Sequence, residues 1–167
     1  MARIPLIIHH PGARPRRESA FVQPVDLMPT LLDLAGAPLP ETTHGLSIAP
    51  LLRGEAVHAR EFAITSPTII HRGAGGCRIT LTTEEWALIC APSARENTET
   101  VDRAVDRHAK QVGEVRVSCE LYHLPSDPRQ QQNVIGQYPE VAADLRTRLV
   151  TFLESCDTSP EHIEPRR

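Results

Sequence analysis

The sequence VDLMPTLLDLAGAPLP, residues 25–40, constrains the fold more than any other stretch, because it contains the start, the body and the end of one helix. The carboxylate of Asp26 can accept hydrogen bonds from the first free amides, and Pro29 falls in the first turn, where its missing N–H costs little. Gly36, followed by Pro38, ends the helix. The apolar stripe that this helix is predicted to bury consists of Leu27, Leu31, Leu34 and Ala35.

An apolar run precedes this helix. Residues 4–8, IPLII, are closed by Pro11 and Gly12, and a continuous apolar run of this length is typical of a strand buried on both faces of a parallel sheet. Such a strand needs neighbours on both edges. We therefore expect residues 3–34 to pair with a second copy, by strand exchange or as a two-fold dimer, or to be poorly ordered. The alternative is that the strand joins the edge of the chain's own sheet and gives a compact monomer.

The apolar pattern changes from helical to alternating after a loop-rich connection, residues 38–60, which one short helical turn anchors through Ile48, Leu51 and Leu52. Alternation predicts strands at residues 62–65, 78–82, 86–91 and 115–124. A polar turn at residues 83–85 joins the second strand to the third. The pattern indicates a small antiparallel sheet of about four strands.

Two helical patterns accompany this sheet. Residues 98–112 have a thin apolar face and many charges, so they are predicted to form an exposed helix or a mobile insertion. A stronger pattern begins at Pro139 and is expected to pack a helix across the sheet. Its apolar residues are Val141, Leu145, Leu149, Phe152 and Leu153. Residues 158–167 form a polar tail with no packing signal, expected to be loosely docked or disordered.

Charge and composition exclude several classes of function. The net charge of -3, from 18 basic and 21 acidic residues, gives no basic field for a phosphate backbone, so we expect no nucleic-acid partner. The first apolar run is too short for a signal peptide and no stretch has the length of a membrane span, so a soluble chain without membrane contact is expected. The cysteines show no CxxC pair or zinc spacing and are interpreted as small, reduced core residues. They are Cys77, Cys90, Cys119 and Cys156.

Five motifs follow one another along the chain. They are residues 3–8 with Pro11-Gly12, the stretch 25–40, GLS at 45–47, PLLRG at 50–54, and ELYHL at 120–124 with Asp127, Pro128 and Asn133. In this order and at this spacing the chain resembles the C-terminal part of the sulfatases, a branch of the alkaline phosphatase superfamily. The resemblance implies an α+β fold. Residues 1–60 would be the last strand and helix of the sulfatase α/β catalytic domain, residues 61–157 a subdomain whose small antiparallel sheet is packed by a C-terminal helix, and residues 158–167 the tail.

The same resemblance implies the chemistry of a complete sulfatase. Its nucleophile is a formylglycine made from the cysteine or serine of a C-x-P-S-R motif, and its calcium ion is held by Asp and Asn ligands from earlier in the family's sequence. Residues 90–93, CAPS, match four letters of that motif, but Ala94 puts Arg95 one place too late. We interpret the match at Cys90 as a coincidence. The chain is thus expected to hold no catalytic residue, metal ligand or cofactor of its own, and only a complete parent would bind a sulfate ester.

The candidate substrate-binding residues are His71 and Arg72, in the Gly-rich loop HRGAGG at residues 71–76. In the family, this subdomain borders the active-site cleft, and a His–Arg pair on such a loop can contact an anionic group. An exposed loop tip between two strands is the simpler interpretation. The other histidines have no metal-ligand spacing, and Asp26 and Asp33 are explained as the cap and the solvent face of their helix.

The leading hypothesis is a C-terminal portion of a sulfatase-like hydrolase that is inactive in isolation. Two alternatives remain open. The chain is a fragment of a phosphodiesterase or phosphonate hydrolase of the same superfamily, or it is a noncatalytic binding or assembly module.

Overall fold

The computed structural model of the protein describes residues 4–11, 15–55, 60–66, 78–90 and 119–167. The chain separates into two compact units, an N-terminal unit, Met1–Ala63, and a C-terminal unit, Ile64–Arg167. The predicted insertion at residues 98–112 lies outside the described residues. Within the described part of the chain, no helix has the length and apolar character needed to cross a membrane.

The N-terminal unit is built on the predicted helix. A 3-10 turn, Pro24–Asp26, leads into α1, Leu27–Leu34, and a second short helix, α2, Ala49–Arg53, follows the connecting loop. Gly36 lies just beyond α1 at a φ of +65°, a left-handed conformation that glycine adopts without a Cβ penalty. The helix and its glycine stop are therefore confirmed, and so is the helical turn that contains Leu51.

Two of the leucines predicted to form a buried stripe on α1 are exposed in this chain. Leu27 is 39% exposed and Leu31 is 68% exposed, whereas Pro29 and Thr30 are buried. The Thr30 hydroxyl accepts a hydrogen bond from the Ile48 N–H at 3.0 Å. The segment around residue 48 thus covers the side of the helix opposite to Leu27 and Leu31. These leucines stay exposed because the described residues of this unit contain no sheet against which they can pack.

The apolar run at residues 4–8 forms no strand. Ile4 is 76% exposed and Ile7 is 93% exposed. A strand of a parallel sheet needs backbone partners, and among the described residues none lies beside this run. The alternative, that the run joins the edge of the chain's own sheet, is also not met, because in the described part of the chain that sheet contains the four strands given next and not residues 4–8.

The C-terminal unit contains the predicted sheet, whose strands follow one another in the order β1-β2-β3-β4. The strands are β1 Ala63–Thr65, β2 Ile79–Thr82, β3 Trp86–Cys90 and β4 Glu120–His123. Both β2–β3 and β3–β4 are antiparallel pairs. The turn at residues 83–85 is closed by Thr83, whose N–H donates to the Trp86 carbonyl at 2.8 Å and whose hydroxyl accepts from the Trp86 N–H at 2.9 Å.

The predicted terminal helix is α3, Pro139–Ser155, with the proline in its first turn as expected. Its inner face carries Leu145, Leu149 and Leu153, which are 8% exposed or less. The sheet contributes fully buried residues to the core of the same unit, namely Leu81, Ala87, Leu88, Cys90 and Leu121. A small α+β fold with a four-stranded antiparallel sheet and a C-terminal helix is thereby confirmed.

The end of the chain differs from the expected loose tail. A short helix, α4, Pro160–Ile163, continues into a 3-10 turn, Glu164–Arg166. Ile163 is 5% exposed and Arg166 is 2% exposed, and the Arg166 guanidinium donates to the carbonyl of His162. The expectation failed because one apolar side chain and one long aliphatic stem are enough to dock a polar segment.

Candidate functional site

The residues predicted to bind substrate, His71 and Arg72, lie outside the described residues. Their role therefore stays a prediction.

Cys90, the first residue of the near match to the sulfatase nucleophile motif, ends β3 and is fully buried. A hydrogen bond with Cys119, followed by burial and by the Cys119 charge, raises the pKa of the Cys90 thiol above its ordinary value. A buried thiol that holds its proton is a poor nucleophile. The burial of Cys90 argues against its use as the nucleophile of an ester hydrolysis.

Asp26 organises the N-terminal unit more than any other polar residue. Its fully buried carboxylate accepts hydrogen bonds from two backbone amides, Gln23 N–H and Leu46 N–H, each at 2.8 Å. It also accepts from Arg60, through Nε at 2.8 Å and through Nη2. Each carboxylate oxygen therefore receives one amide and one guanidinium N–H, which is a bidentate, charge-assisted pair.

The charge on Asp26 is held by these donors. Burial by itself raises the pKa of a carboxyl group, but the bonds from Arg60, Leu46 and Gln23 outweigh it and bring the pKa of Asp26 below its ordinary value of 3.8. Both carboxylate oxygens of Asp26 thus accept their hydrogen bonds from other residues of the protein. The prediction that the Asp26 carboxylate caps α1 is wrong, because it accepts no hydrogen bond from the first amides of that helix. It caps the preceding 3-10 turn through the Gln23 N–H and ties the start of α1 to residues 46 and 60.

A second polar contact joins α1 to α2. Asp33 accepts a 2.6 Å hydrogen bond from the Ser47 hydroxyl and lies 3.5 Å from the Arg53 guanidinium. At the start of the helix, Gly45 has no room for a side chain, because a Cβ there would lie 2.0 Å from the Val25 carbonyl oxygen. The GLS and PLLRG motifs are thus explained by the docking of one loop and one helix against α1.

The ELYHL motif and the residues after it form an edge cover for β4. Asn133 Oδ1 accepts from the Leu121 N–H at 3.0 Å, and the Val134 N–H donates to the Leu121 carbonyl at 2.8 Å. Asp127 Oδ2 closes the intervening turn by accepting from the Gln131 and Gln132 amides at 2.7 and 2.8 Å. An edge strand with free backbone groups invites pairing with other chains, and these residues occupy them.

A small aromatic cluster lies at the turn end of the sheet. The Trp86 ring is 4.7 Å from the His123 ring and 5.0 Å from the Tyr138 ring, centroid to centroid. His123 also lies beside two polar groups, the Ser126 hydroxyl at 2.7 Å from Nδ1 and the Glu85 carboxylate at 3.5 Å from Nε2. The tilted rings pack on one another as core aromatics do, so the cluster stabilises the turn.

The described acids and histidines do not form a metal site. In residues 4–11, 15–55, 60–66, 78–90 and 119–167, no three His, Cys, Asp or Glu side chains converge on one point. Asp26, the one fully buried aspartate among the described residues, is paired with Arg60. The described residues therefore do not fit the calcium ligand set that the family resemblance implies.

Two important residues were missed by the sequence interpretation. Arg60 was placed in a connecting loop, and Arg166 in a tail without packing. The sequence around Asp26 does not indicate that Arg60 is its partner, because the two residues are 34 positions apart and meet only after folding. For Arg166, the nearby Ile163 was the one available signal.

The first 114 residues match the family model described as N-sulphoglucosamine sulphohydrolase, C-terminal. The chain is similar to arylsulfatase K of Bos taurus, with 27% identity over 158 residues, covering 91% of this chain and 26% of that protein. It is also similar to N-acetylglucosamine-6-sulfatase of Capra hircus, with 29% identity over 170 residues, covering 92% of this chain and 30% of that protein. The chain thus spans about a quarter to a third of the length of these curated relatives.

The fold is shared with solved sulfatase structures. One is BT1596, a 2-O GAG sulfatase, which matches with a TM-score of 0.57 and 21% identity over 79% of this chain and 24% of that one. Another is BT4656 in complex with its substrate D-glucosamine-2-N,6-O-disulfate, which matches with a TM-score of 0.56 and 22% identity over 81% of this chain and 25% of that one. Since the family model matches more than half of the sequence, the chain belongs to the family of the C-terminal region of N-sulphoglucosamine sulphohydrolase, within the sulfatases.

Proposed function

We propose that this chain is the C-terminal portion of a sulfatase-like hydrolase and that it does not cleave sulfate esters by itself. In this proposal residues 1–60 complete the α/β catalytic domain and residues 61–157 form the C-terminal subdomain. The whole sulfatase hydrolyses a sulfate ester, and the parts that carry out the reaction belong to the rest of that protein.

The observation that carries this proposal is the exposure of apolar side chains in the N-terminal unit. We call these residues the exposed apolar set: Ile4, Leu6, Ile7, Ile8, Val25, Leu27, Met28 and Leu31, which are 37–93% exposed. Apolar side chains exposed in this number are typical of a surface that another part of a protein covers. The sequence pattern of a two-sided buried strand and an amphipathic helix indicates that the missing cover is a sheet.

The catalytic groups are proposed to lie in the remainder of the complete protein. Formylglycine and calcium are implied by the family, but Cys90 is a buried, protonated thiol and Asp26 is bound to Arg60. The chain's own residues are proposed to contribute to substrate binding only through His71 and Arg72, where a positive loop would meet an anionic substrate group.

The substrate of the complete protein is proposed to be a sulfated sugar. This rests on the relatives, since one is named for N-acetylglucosamine 6-sulfate and a structure with the same fold holds a disulfated glucosamine. The alternative parent, a phosphodiesterase or phosphonate hydrolase, has no observation in its favour among these relatives.

Activity of the isolated chain is the first test. The purified chain, given calcium, is expected to show no turnover of 4-nitrocatechol sulfate or of bis-(4-nitrophenyl) phosphate. The matched variant is Cys90→Ala, which should be equally inactive. Turnover by the wild-type chain that disappears in Cys90→Ala would refute the proposal and make the near motif a nucleophile.

Self-association is the second test, because an uncovered strand and helix face can pair with a second copy. Sedimentation velocity at micromolar concentration is expected to show a species larger than the monomer, and Ile7→Asp should return it to the monomer. Leu39→Asp, which changes an exposed leucine outside residues 3–34, is the control and should leave association unchanged. A monodisperse wild-type monomer with strong amide protection at residues 4–8 would contradict the proposal.

A further inference from the structure

The ends of β3 and β4 bring two cysteines to directly opposite positions. The register pairs Trp86 with His123 and Ile89 with Glu120, and continuing it by one residue places Cys90 opposite Cys119. Directly opposite residues of an antiparallel pair point to the same face of the sheet, so the two thiols face each other. Neither Cys90 nor Cys119 forms a disulfide bond in this structure.

The backbone hydrogen bonds show which kind of pair this is. The Leu121 N–H donates to Asn133 and the Leu121 carbonyl accepts from the Val134 N–H, so neither group bonds to β3. Leu88–Leu121 is therefore a non-hydrogen-bonded pair. The two kinds of pair alternate, and Cys90–Cys119, two residues further along, is again non-hydrogen-bonded. Such pairs have a Cα–Cα distance of about 4.5 Å, which lies within the 4.4–6.8 Å or so that a disulfide spans.

The surroundings of Cys119 differ from those of Cys90. Cys119 is half-buried, and the Arg146 guanidinium on α3 reaches its sulfur at 3.6 Å. Arg146 Nε is itself buried and has no hydrogen-bond partner among the described residues. A guanidinium beside a cysteine sulfur favours the thiolate form of that sulfur.

Cys90 is the protonated member. Its hydrogen bond with Cys119 comes first among the causes that raise its pKa, ahead of burial, while the charges of Arg146 and Arg166 act in the opposite sense. The arrangement is a half-buried sulfur at position 119, which accepts from a guanidinium, next to a fully buried thiol at position 90.

We propose that Cys90 and Cys119 are a redox-active dithiol, which a small-molecule disulfide converts to a disulfide bond across β3 and β4. The Cys119 thiolate attacks one sulfur of glutathione disulfide, and the sulfur–sulfur bond breaks to release glutathione thiolate. Cys90 then attacks the Cys119 sulfur of the mixed disulfide. The second glutathione leaves with the proton of Cys90, so two protein thiols are oxidised and one glutathione disulfide is reduced to two glutathiones.

The test is oxidation of the folded 167-residue chain in glutathione buffers of increasing oxidised fraction, followed by peptide mapping without reduction. The expected product is one intramolecular link between the peptides that contain Cys90 and Cys119. The double variant Cys77→Ser/Cys156→Ser should form the same link. No link, or links scrambled among all four cysteines, would overturn the proposal.

The two roles are separable. Cys90→Ser should stop at a stable mixed disulfide of Cys119 with glutathione, whereas Cys119→Ser should leave Cys90 unmodified. Trp86 fluorescence reports whether either variant still folds, and the wild-type map decides the proposal if neither does. A stable adduct on Cys90 instead would overturn the assigned order of attack.

Arg146 is a positioning residue in this proposal, and a pH profile tests it. Arg146→Gln should slow alkylation of Cys119 at pH 7 about tenfold and move the midpoint of the rate profile upward by about one pH unit. The matched control is Arg148→Gln on the same helix, whose side chain is 48% exposed and pairs with Asp144. Equal profiles for both variants would remove Arg146 from the site.

Discussion

Replacing Asp26 with Asn is the sharpest test of what holds the N-terminal unit together. The change keeps the shape of the side chain, removes its charge and turns one acceptor oxygen into an NH2 donor. Because each oxygen of Asp26 receives one amide and one Arg60 N–H, the new NH2 group faces two donors whichever way the amide is oriented. Two hydrogen bonds are lost and the Arg60 guanidinium, whose side chain is 10% exposed, keeps an uncompensated charge.

The magnitude follows from that burial. Removing one member of a buried ion pair destabilises a protein by about 3–5 kcal/mol, because the other charge stays desolvated. A unit of 63 residues, Met1–Ala63, has a free energy of unfolding of roughly 3–9 kcal/mol at 0.05–0.15 kcal/mol per residue. Asp26→Asn is therefore expected to unfold the N-terminal unit in a large fraction of the molecules.

The measurement must distinguish the two units. The only tryptophan, Trp86, lies in the C-terminal unit, so its fluorescence does not report on α1. Hydrogen exchange measured by mass spectrometry does report on α1. Peptides of α1 should lose protection in Asp26→Asn, while peptides of β3 should keep it. Asp33→Asn is the matched control, because it makes the same change on the same helix at a half-exposed side chain, and it should alter α1 protection little.

The pH dependence gives an independent check on the same pair. Since the folded pKa of Asp26 lies below 3.8, its contribution to stability is present above about pH 4 and is lost as the pH falls through the folded pKa. The wild-type unit should lose α1 protection in acid more steeply than Asp26→Asn. Equal protection of α1 in wild type and Asp26→Asn at neutral pH would show that the buried pair does not hold the unit.

Three further predictions concern single residues. Leu149→Ala, at a fully buried position of α3, should destabilise the C-terminal unit by about 2–5 kcal/mol in a urea titration followed by Trp86 fluorescence, and a loss below about 1 kcal/mol would show that α3 does not pack as described. Burial and the Glu120 hydrogen bond raise the pKa of Tyr122 to about 12. The contribution of Tyr122 to the stability of the C-terminal unit should therefore be full below pH 10 and be lost as the pH rises towards 12, and Tyr122→Phe should reduce this loss. Gly45→Ala should destabilise the N-terminal unit by about 1–3 kcal/mol in hydrogen exchange, because its Cβ would lie 2.0 Å from a backbone oxygen, and unchanged exchange would refute the close approach.

Local patterns in the sequence determined the elements of this protein. Pro29 and Gly36 marked the two ends of α1, and Pro139 with leucines at spacings of three and four gave α3. Alternation identified the strands and the turn at residues 83–85 identified the β2–β3 hairpin, whose register follows from so short a connection. These signals succeed because capping, helical periodicity and strand alternation act over a few residues.

Tertiary structure alone decided which of these residues meet. The α1 leucines fit a buried stripe, yet they are exposed here because burial depends on a partner surface that the pattern cannot supply. Asp26 and Arg60 are 34 residues apart, and 28 residues separate Cys90 from Cys119 in the sequence. Contacts between distant segments arise from packing and chain closure, so the buried ion pair and the facing thiols became visible only in the folded chain.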